Sequence, residues 1–270
     1  MNIRNVATSF GIASSFAIAL SSAPAQAFSF QTNYTAALSG SNQSKGDIFL
    51  DSVTLGDGQM ISDFTLITSA NILSNDLYTG GNSGAASADI GDLATTGIRL
   101  EKATNDAIKT VLNNQNLNNI IDTEDKGTFV LDLNFEKAVD NVFIWERGMN
   151  SRLDIQALDA NGEAIGNLLE LSNSKHWDYA GYDINTKEIG SAQRVGSTGV
   201  SLADLGIAEG SYISSLRVHS SGKSYNGPDF KILGSVAESA QVPEPSSLLG
   251  LGAIVAGAIA TRRRKQSQAA

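Results

Sequence analysis

Residues 129–135 read Phe-Val-Leu-Asp-Leu-Asn-Phe, with a large apolar side chain at every second position from Phe129 to Phe135. Asp132 and Asn134 lie between these apolar positions. Successive side chains of a β-strand point to opposite faces, so this period predicts a strand with one buried and one wet face. The same alternation recurs in residues 153–157, where Asp154 and Gln156 take the polar positions.

Other apolar runs predict further strands at residues 48–55, 64–68, 142–145, 213–219 and 230–233. Turn residues separate these runs, as in Gly56-Asp57-Gly58, Asp159-Ala160-Asn161-Gly162 and Tyr225-Asn226-Gly227-Pro228. Short strands joined by turns at this spacing are typical of a sandwich. We therefore predict an all-β fold, a β-sandwich of jelly-roll or galactose-binding-like type.

Two segments depart from the strand pattern. Residues 101–121 place apolar side chains at helical spacing and predict a short helical insertion, as one helix or two short turns across the sandwich edge. Residues 75–92 are rich in Gly, Ser, Ala and Asn, which predicts a mobile loop.

The composition excludes several classes of site. The chain has 26 glycines, 17% charged residues, two histidines and no cysteine, so disulfides, thiolate metal sites and a cysteine nucleophile are ruled out. Residues 28–243 carry 14 basic and 27 acidic side chains, a net charge of −13. A domain of this charge would not bind nucleic acid by electrostatic attraction, whereas calcium or a neutral polymer would suit it better.

The N-terminal residues have the order of a secretion signal. Arg4 precedes an apolar run over residues 6–20, and small residues follow as far as Ala25-Gln26-Ala27. A positive start, a short apolar helix and an A-x-A site predict a signal peptide over residues 1–27, with signal peptidase recognising Ala25 and Ala27. The mature chain would then begin at Phe28 and enter a domain over residues 28–237.

The C-terminal residues have the order of a membrane-associated tail. Residues 238–245 form a short stalk that ends in Pro243-Glu244-Pro245. Residues 246–261 are uncharged and predict a transmembrane helix about 24 Å long, slightly short of a ~30 Å hydrocarbon core. Residues 262–270 begin with a basic cluster that would stay cytoplasmic and place the domain outside.

This order of Pro-Glu-Pro, short apolar helix and arginine cluster resembles the PEP-CTERM sorting signal read by exosortases. The resemblance implies that Pro243, Glu244 and Pro245 form the recognition motif, and that Arg262, Arg263 and Arg264 stop transfer through the membrane. It also implies that a transpeptidase cleaves near the motif and that the protein goes to the cell surface or the extracellular matrix. The remaining alternative is an ordinary single-span anchor with a proline-rich stalk.

Part of the interior resembles a cyanobacterial group of exosortase-dependent surface proteins. The matching stretches are residues 142–151, Val-Phe-Ile-Trp-Glu-Arg-Gly-Met-Asn-Ser, then residues 153–158 and 227–232. The resemblance covers roughly the second half of the domain. It implies no particular activity.

Two sets of residues are candidates for ligand contacts. Asp159, Asn161 and Glu163 place three oxygen-bearing side chains at alternate positions, as a calcium site can. Asn-Gly is also a preferred hairpin turn, and the turn is the stronger interpretation. The aromatic residues Trp145, Trp177, Tyr179 and Tyr182 could form a platform that stacks on sugar rings. The alternative is that Trp145 belongs to the core and that Arg147 pairs with an acid.

No common catalytic motif occurs, neither a G-x-S-x-G elbow, a P-loop nor H-E-x-x-H. Asp132 and Glu146 could in principle act as a pair of carboxylates in glycoside hydrolysis. We therefore expect an exported, non-catalytic surface or matrix protein without a resident cofactor, whose partners are exosortase, signal peptidase, the membrane before processing and extracellular polysaccharide. The alternatives are a carbohydrate-binding module and a secreted glycoside hydrolase.

Overall fold

A computed structural model describes residues 27–77, 84–187, 190–208 and 210–237. The predicted stalk, transmembrane helix and basic tail fall outside these ranges, as does the predicted signal peptide apart from Ala27. Within them, no helix combines the length and apolar character needed to cross a bilayer.

The described chain is built mainly of antiparallel strands. Its strands are β1 Phe30–Ala36, β2 Ile48–Leu55, β3 Met60–Ile61, β4 Phe64–Thr65, β5 Ile67–Asn75, β6 Ala86–Ile90, β7 Asn119–Thr123, β8 Thr128–Arg147, β9 Arg152–Leu158, β10 Ala164–Ser172, β11 Asp178–Ile184, β12 Gln193–Ser201, β13 Ile213–Ser221 and β14 Asp229–Val236. The helices are α1 Asn105–Leu112, α2 Asn173–His176 and a 3-10 helix, Gly40–Lys45. The predicted mostly β, sandwich-like fold is confirmed at this level.

The long strand β8 organises the large sheet, which contains 11 strands. Its first half, up to about Phe135, pairs with β5 on one side and β13 on the other. Its second half, from Asn141 to Arg147, pairs with β12 and β14. Beyond β13 the sheet continues through β9 and β10, and beyond β14 through β7 and β6, while β1, β2 and β3 form a separate small sheet.

The two halves of β8 differ in how many faces they bury. In the first half, the large apolar side chains are buried in the main core, whereas Asp132 and Asn134 are only half-buried, as the two-residue period predicts. In the second half every side chain from Val142 to Arg147 is buried. Val142 and Ile144 belong to the main core, and Phe143 and Trp145 to a second core shared with the small sheet.

Three sequence predictions about local structure were wrong in detail. The runs at residues 129–135 and 142–145 are one strand, β8, and the helical insertion is shorter than predicted. The helix α1 begins after Thr104, whose hydroxyl accepts from the Ala107 N–H at 3.2 Å, and ends where asparagine side chains bind backbone groups. Residues 86–90, predicted to lie in a mobile loop, form the buried strand β6, because small side chains fit beneath α1.

Asp154 also differs from its prediction as a residue on a wet strand face. It is buried, and its carboxylate accepts a two-pronged pair of hydrogen bonds from Arg152, at 2.7 and 2.8 Å. The Tyr225 hydroxyl donates to the same carboxylate at 2.5 Å. A planar guanidinium and a phenol thus replace water around this carboxylate, which explains why an acid can occupy a buried position.

Candidate functional site

The predicted calcium residues form a hairpin turn between β9 and β10. The carboxylate of Asp159 accepts from the backbone N–H groups of Asn161 and Glu163 at 2.8 and 2.9 Å, and these bonds hold the pKa of Asp159 below its ordinary value. Gly162 adopts a φ of 82°, as the turn requires. Among the described residues no group of three histidine or acidic side chains is placed to hold a metal ion. Calcium at this turn stays a prediction.

Replacing Asp159 with Ala tests the turn against the calcium site. If the carboxylate serves only the turn, the native protein should have the same Tm in about 1 mM calcium as in EDTA, and the variant should have a slightly lower Tm in both. Differential scanning fluorimetry checks this. A Tm of the native protein that rises with calcium, and a variant that no longer responds, would instead establish a calcium site.

The predicted aromatic platform is mostly buried. Trp145, Trp177 and Tyr182 are exposed by only 1%, 2% and 3%, whereas Tyr179 is exposed by 44%. The Trp145 indole donates to the Thr32 hydroxyl at 3.0 Å. The Trp177 indole donates to the Ser151 carbonyl at 2.9 Å. Both indoles are therefore satisfied within the fold, and the prediction that they form a sugar-stacking surface is wrong, since the two tryptophans lie in different cores.

Arg147, by contrast, lies at the centre of a buried ion cluster at the end of β8. Its Nε and Nη2 contact Asp229 at 3.0 and 2.7 Å, and its Nη2 donates to Asp122 at 2.7 Å. Its Nη1 donates to the Thr186 hydroxyl at 2.5 Å and lies 3.9 Å from Asp89. The alternative weighed from the sequence, that Arg147 pairs with an acid, is confirmed with three acids, and the cluster ties together the ends of β6, β7, β8 and β14.

Burial makes the acids of this cluster hard to ionise. Burial raises the pKa of Asp89 to about 7, with nearby Asp122 adding to the rise. Burial likewise raises the pKa of Asp229 well above its ordinary value, although Arg147 opposes the shift. Three carboxyl groups share one guanidinium, so protonation of one of them reduces their mutual repulsion.

A polar cavity of about 320 Å³ lies beside the cluster, bordered by the β7–β8 turn and the loops that follow β8 and β13. Met149 and Asn226, which both have a φ of 57°, are the non-glycine residues with positive φ in the described ranges. They belong to two loops that the Ser151 hydroxyl joins by donating to the Asn226 carbonyl at 2.7 Å. A Cβ on Gly227 would lie 2.6 Å from the Thr123 carbonyl oxygen, so this close approach requires glycine.

Glu146 binds the backbone of the first of these loops, which contains Met149. Its side chain is fully buried, and one carboxylate oxygen accepts from the Met149 N–H at 2.7 Å, while the other oxygen has no hydrogen-bond partner. Burial raises the pKa of Glu146 to about 8. Each guanidinium nitrogen of Arg147 donates to a residue of the fold, so this region is built to hold loops in unusual backbone conformations rather than to present a free cation to an anion.

Lys231 is a further buried ionisable residue, near the start of β14. Its ammonium group donates to the Val111 carbonyl and, at 3.1 Å, to the Asn114 side chain. Burial lowers the pKa of Lys231 well below its ordinary value. The carbonyl groups at the C-terminal end of α1 carry partial negative charge and suit an N–H donor, so Lys231 joins the helix to the sheet.

A second cavity, of about 330 Å³, lies between β1, the 3-10 helix and β11. We name it the tyrosine cleft, because Tyr34, Tyr179 and Tyr182 line it together with Gln43, Ser44 and Asp183. The rings of Tyr34 and Tyr182 lie 5.1 Å apart between centroids, at an angle of 57°. Of the four aromatic residues singled out from the sequence, Tyr179 and Tyr182 therefore meet in one cavity, and Tyr34 joins them from β1.

A family model of the PEP-CTERM protein-sorting motif matches residues 241–265. The chain carries a PEP-CTERM sorting motif. This motif indicates an exported precursor that passes into the membrane and is sorted to the cell surface, and it implies processing by an exosortase. The PEP-CTERM match begins four residues after Ala237, where the described part of the domain ends.

Other comparisons add little to the PEP-CTERM match. No curated protein sequence is significantly similar to the chain. Among solved structures, the GH31 alpha-xylosidase from Xanthomonas citri matches 69% of this chain and 20% of its own length, with 11% sequence identity and a TM-score of 0.17. The chain thus spans a fifth of that enzyme, and a likeness this slight carries no argument.

Sequence reasoning singled out both stretches that meet at Arg147 but missed their contact. Arg147 belongs to the stretch 142–151 and Asp229 to the stretch 227–232, and no local pattern indicates that the two pair. Asp89 and Asp122 were not candidates either. The sequence Asn-Gly-Pro at residues 226–228 did predict an unusual turn. This was the one local signal for the backbone conformation beside the cavity.

Proposed function

We propose that the chain is the precursor of a non-catalytic protein of the cell surface or extracellular matrix, released from its tail by an exosortase. In this proposal residues 1–27 are removed as a signal peptide, and residues 28–237 form the exported domain, a sandwich of jelly-roll or galactose-binding-like type. Residues 238–245 form the stalk, 246–261 the transmembrane helix and 262–270 the cytoplasmic tail. The match of the sorting motif to residues 241–265 carries the proposal.

The position of the last strand supports processing at the motif. β14 pairs with β8 and β7 inside the large sheet, and the described part of the fold ends one residue later, at Ala237. Cleavage near Glu244 would remove no described residue of the fold. The stalk of eight residues can span at most about 28 Å, which keeps the folded domain near the membrane until the tail is cut.

The first described residues support cleavage after Ala27. Phe28 and Gly199 exchange two backbone hydrogen bonds of 2.8 Å each. The Phe28 ring covers Gly199 so closely that a Cβ there would lie 2.2 Å from the ring. Cleavage after Ala27 would keep both bonds and would remove the packing of Ala27 against the main core.

The carboxylate pair considered for glycoside hydrolysis does not form a site. Asp132 and Glu146 lie on the same strand, 14 residues apart, which corresponds to a contour of roughly 46 Å, whereas catalytic pairs lie about 5–10 Å apart. Asp132 is held by two hydrogen bonds from Arg217, and Glu146 is fully buried. These contacts support a non-catalytic role for the pair.

Replacing Pro243-Glu244-Pro245 with three alanines tests the sorting proposal. Intact-mass analysis of the cell-surface and supernatant protein should find a native chain that begins near Phe28 and ends near Glu244. The variant should keep its tail and remain in the membrane, because prolines hold the motif extended for the transpeptidase. Three alanines in place of Gln266-Ser267-Gln268, outside the matched motif, provide the control and should be processed as the native chain is.

Two results would contradict the proposal. If the native chain retains residues 262–270, the tail is an ordinary anchor. If the alanine variant is cut as efficiently as the native chain, Pro243, Glu244 and Pro245 are not the recognition motif.

A further inference from the structure

We propose that Lys231 and Asn114 react with each other in the folded domain and form an amide cross-link between β14 and the segment that follows α1. The product is a covalent bond between residues 117 positions apart in the chain. The two groups meet inside the described fold, so the bond does not depend on whether the chain is sorted as proposed above.

Lys231 supplies the amine. Its side chain is fully buried, and its hydrogen-bond partners are the neutral oxygens of the Val111 carbonyl and the Asn114 side chain. Burial lowers the pKa of Lys231 well below its ordinary value, so a larger share of the molecules carries a neutral amine. A lysine amine that is removed from water in this way is an activated nucleophile.

The Asn114 side chain supplies the carbon that is attacked. Lys231 Nζ lies 3.1 Å from Asn114 Oδ1. Because a C=O bond is about 1.23 Å long, Asn114 Cγ lies within about 4.3 Å of the amine, close to the distance of about 3–3.5 Å at which reacting atoms meet. Groups held this near to each other can react as if their concentration were about 10⁵ M or more.

Neighbouring groups orient and polarise the carboxamide of Asn114. Its Oδ1 accepts from the Asn116 backbone N–H at 2.9 Å and from the Asn119 side chain at 3.2 Å. Its Nδ2 donates to the Thr110 carbonyl at 2.9 Å and to the Val111 carbonyl at 3.3 Å. The two donors thus face the oxygen on which negative charge develops during attack, as the donors of an oxyanion hole do.

The reaction balances without an added reactant. The Nζ lone pair attacks Cγ, and an electron pair of the C=O bond moves onto Oδ1. One Nζ proton then passes to Nδ2, the Cγ–Nδ2 bond breaks as the C=O bond forms again, and ammonia leaves. The Val111 carbonyl accepts from both Nζ and Nδ2, so both nitrogens lie beside the same oxygen.

The cross-link would strengthen the strand that leads to the tail. β14 ends at Val236, just before the stalk over residues 238–245. If the domain stands at the cell surface as proposed, a force applied through the stalk would meet a covalent bond as well as the hydrogen bonds of the sheet. This consequence rests on the proposed function, whereas the bond itself does not.

Peptide mapping of the folded full chain by tandem mass spectrometry tests the proposal. The protein is purified in a mild detergent, its fold is verified by tryptophan fluorescence, and it is incubated for several days before digestion. Trypsin should release residues 110–126 joined to a peptide that begins at Ser224, with the sum of the two masses less one ammonia. Fragment ions should place the link between Asn114 and Lys231.

Two variants each remove one reacting group. Lys231→Met lacks the amine and Asn114→Ala lacks the carboxamide, so neither should give the joined peptides. Asparagine before glycine, as at Asn161-Gly162, can also lose ammonia by closing on the next backbone nitrogen, but that loss stays within one peptide. Asn161→Ala is therefore the matched control and should give the joined peptides as the native protein does.

The native protein decides the test, so it does not depend on how well the variants fold. The inference is overturned if folded native protein gives residues 110–126 unlinked, and is cut after Lys231, throughout the incubation. It is also overturned if the joined peptides persist in Lys231→Met, or if the link maps to another lysine.

Discussion

Replacing Arg147 with Met should lower the free energy of unfolding by about 3–5 kcal/mol, because it leaves buried carboxylates without their shared cation. Arg147, Asp89 and Asp122 are each exposed by no more than 3%, so water cannot take over the role of the guanidinium. Urea unfolding followed by the fluorescence of Trp145 and Trp177 measures the loss. Arg217→Met is the matched control: Arg217 pairs with Asp132 at the half-exposed face of β8, and its loss should be about 1 kcal/mol or less.

The pH dependence of the Arg147 variant gives a second test, which also applies if the variant is poorly folded at neutral pH. At pH 4–5 the buried acids can be protonated, so Arg147→Met should regain part of its lost stability relative to pH 8. The Arg217 control should show no such recovery. Equal losses for the two variants at both pH values would mean that the cluster contributes no more than a surface ion pair.

The native protein should become less stable as the pH rises from about 4 to 8. Burial raises the pKa of Asp89 to about 7 and that of Glu146 to about 8, so the folded state holds protons that the unfolded chain has already released. The stabilisation is fully present below the unfolded pKa values near 4 and is lost as the pH passes through the folded values. Each group contributes about 1.4 kcal/mol per pH unit across its own interval.

Glu146→Gln isolates one of these contributions. The amide is neutral at every pH and still offers an oxygen to the Met149 N–H, so the variant should match the native protein near pH 4 and exceed its stability at pH 8. Urea unfolding at half-unit pH steps measures both slopes. Glu136→Gln, at an exposed position of the same strand, controls for the general loss of negative charge. A native slope that Glu146→Gln leaves unchanged would contradict a buried, protonated Glu146.

The apolar period in residues 129–135 predicted a strand with one buried face, and the first half of β8 has this form. The period could not predict that the second half of the same strand would be buried on both faces, because that depends on the small sheet packing against it. The predicted strand at residues 48–55 agrees with β2 residue by residue. Residues 75–92 were wrongly predicted to be a loop throughout, because the Ala and Ser residues of β6 do not form a recognisable apolar pattern. They are buried because α1 packs over them.

The candidate sites also differ in whether the sequence alone could identify them. A sorting signal is recognised as a contiguous segment, so its residue order was sufficient to find the motif at residues 241–265. The aromatic residues near 145 and 177–182 could be identified as a set, but their exposure could not. Trp145 and Trp177 turned out to be core residues, and only the tyrosines line a cavity.

Strand positions, turns and the sorting motif are thus properties of the amino-acid sequence, since each depends on neighbours within a few residues. The Arg147 cluster and the tyrosine cleft are properties of the tertiary structure. Arg147 and Asp229 are 82 residues apart, and Tyr34 and Gly181 are 147 apart. Contacts over such separations depend on how strands pair and layers pack, and those pairings decide which charged groups lose their contact with water.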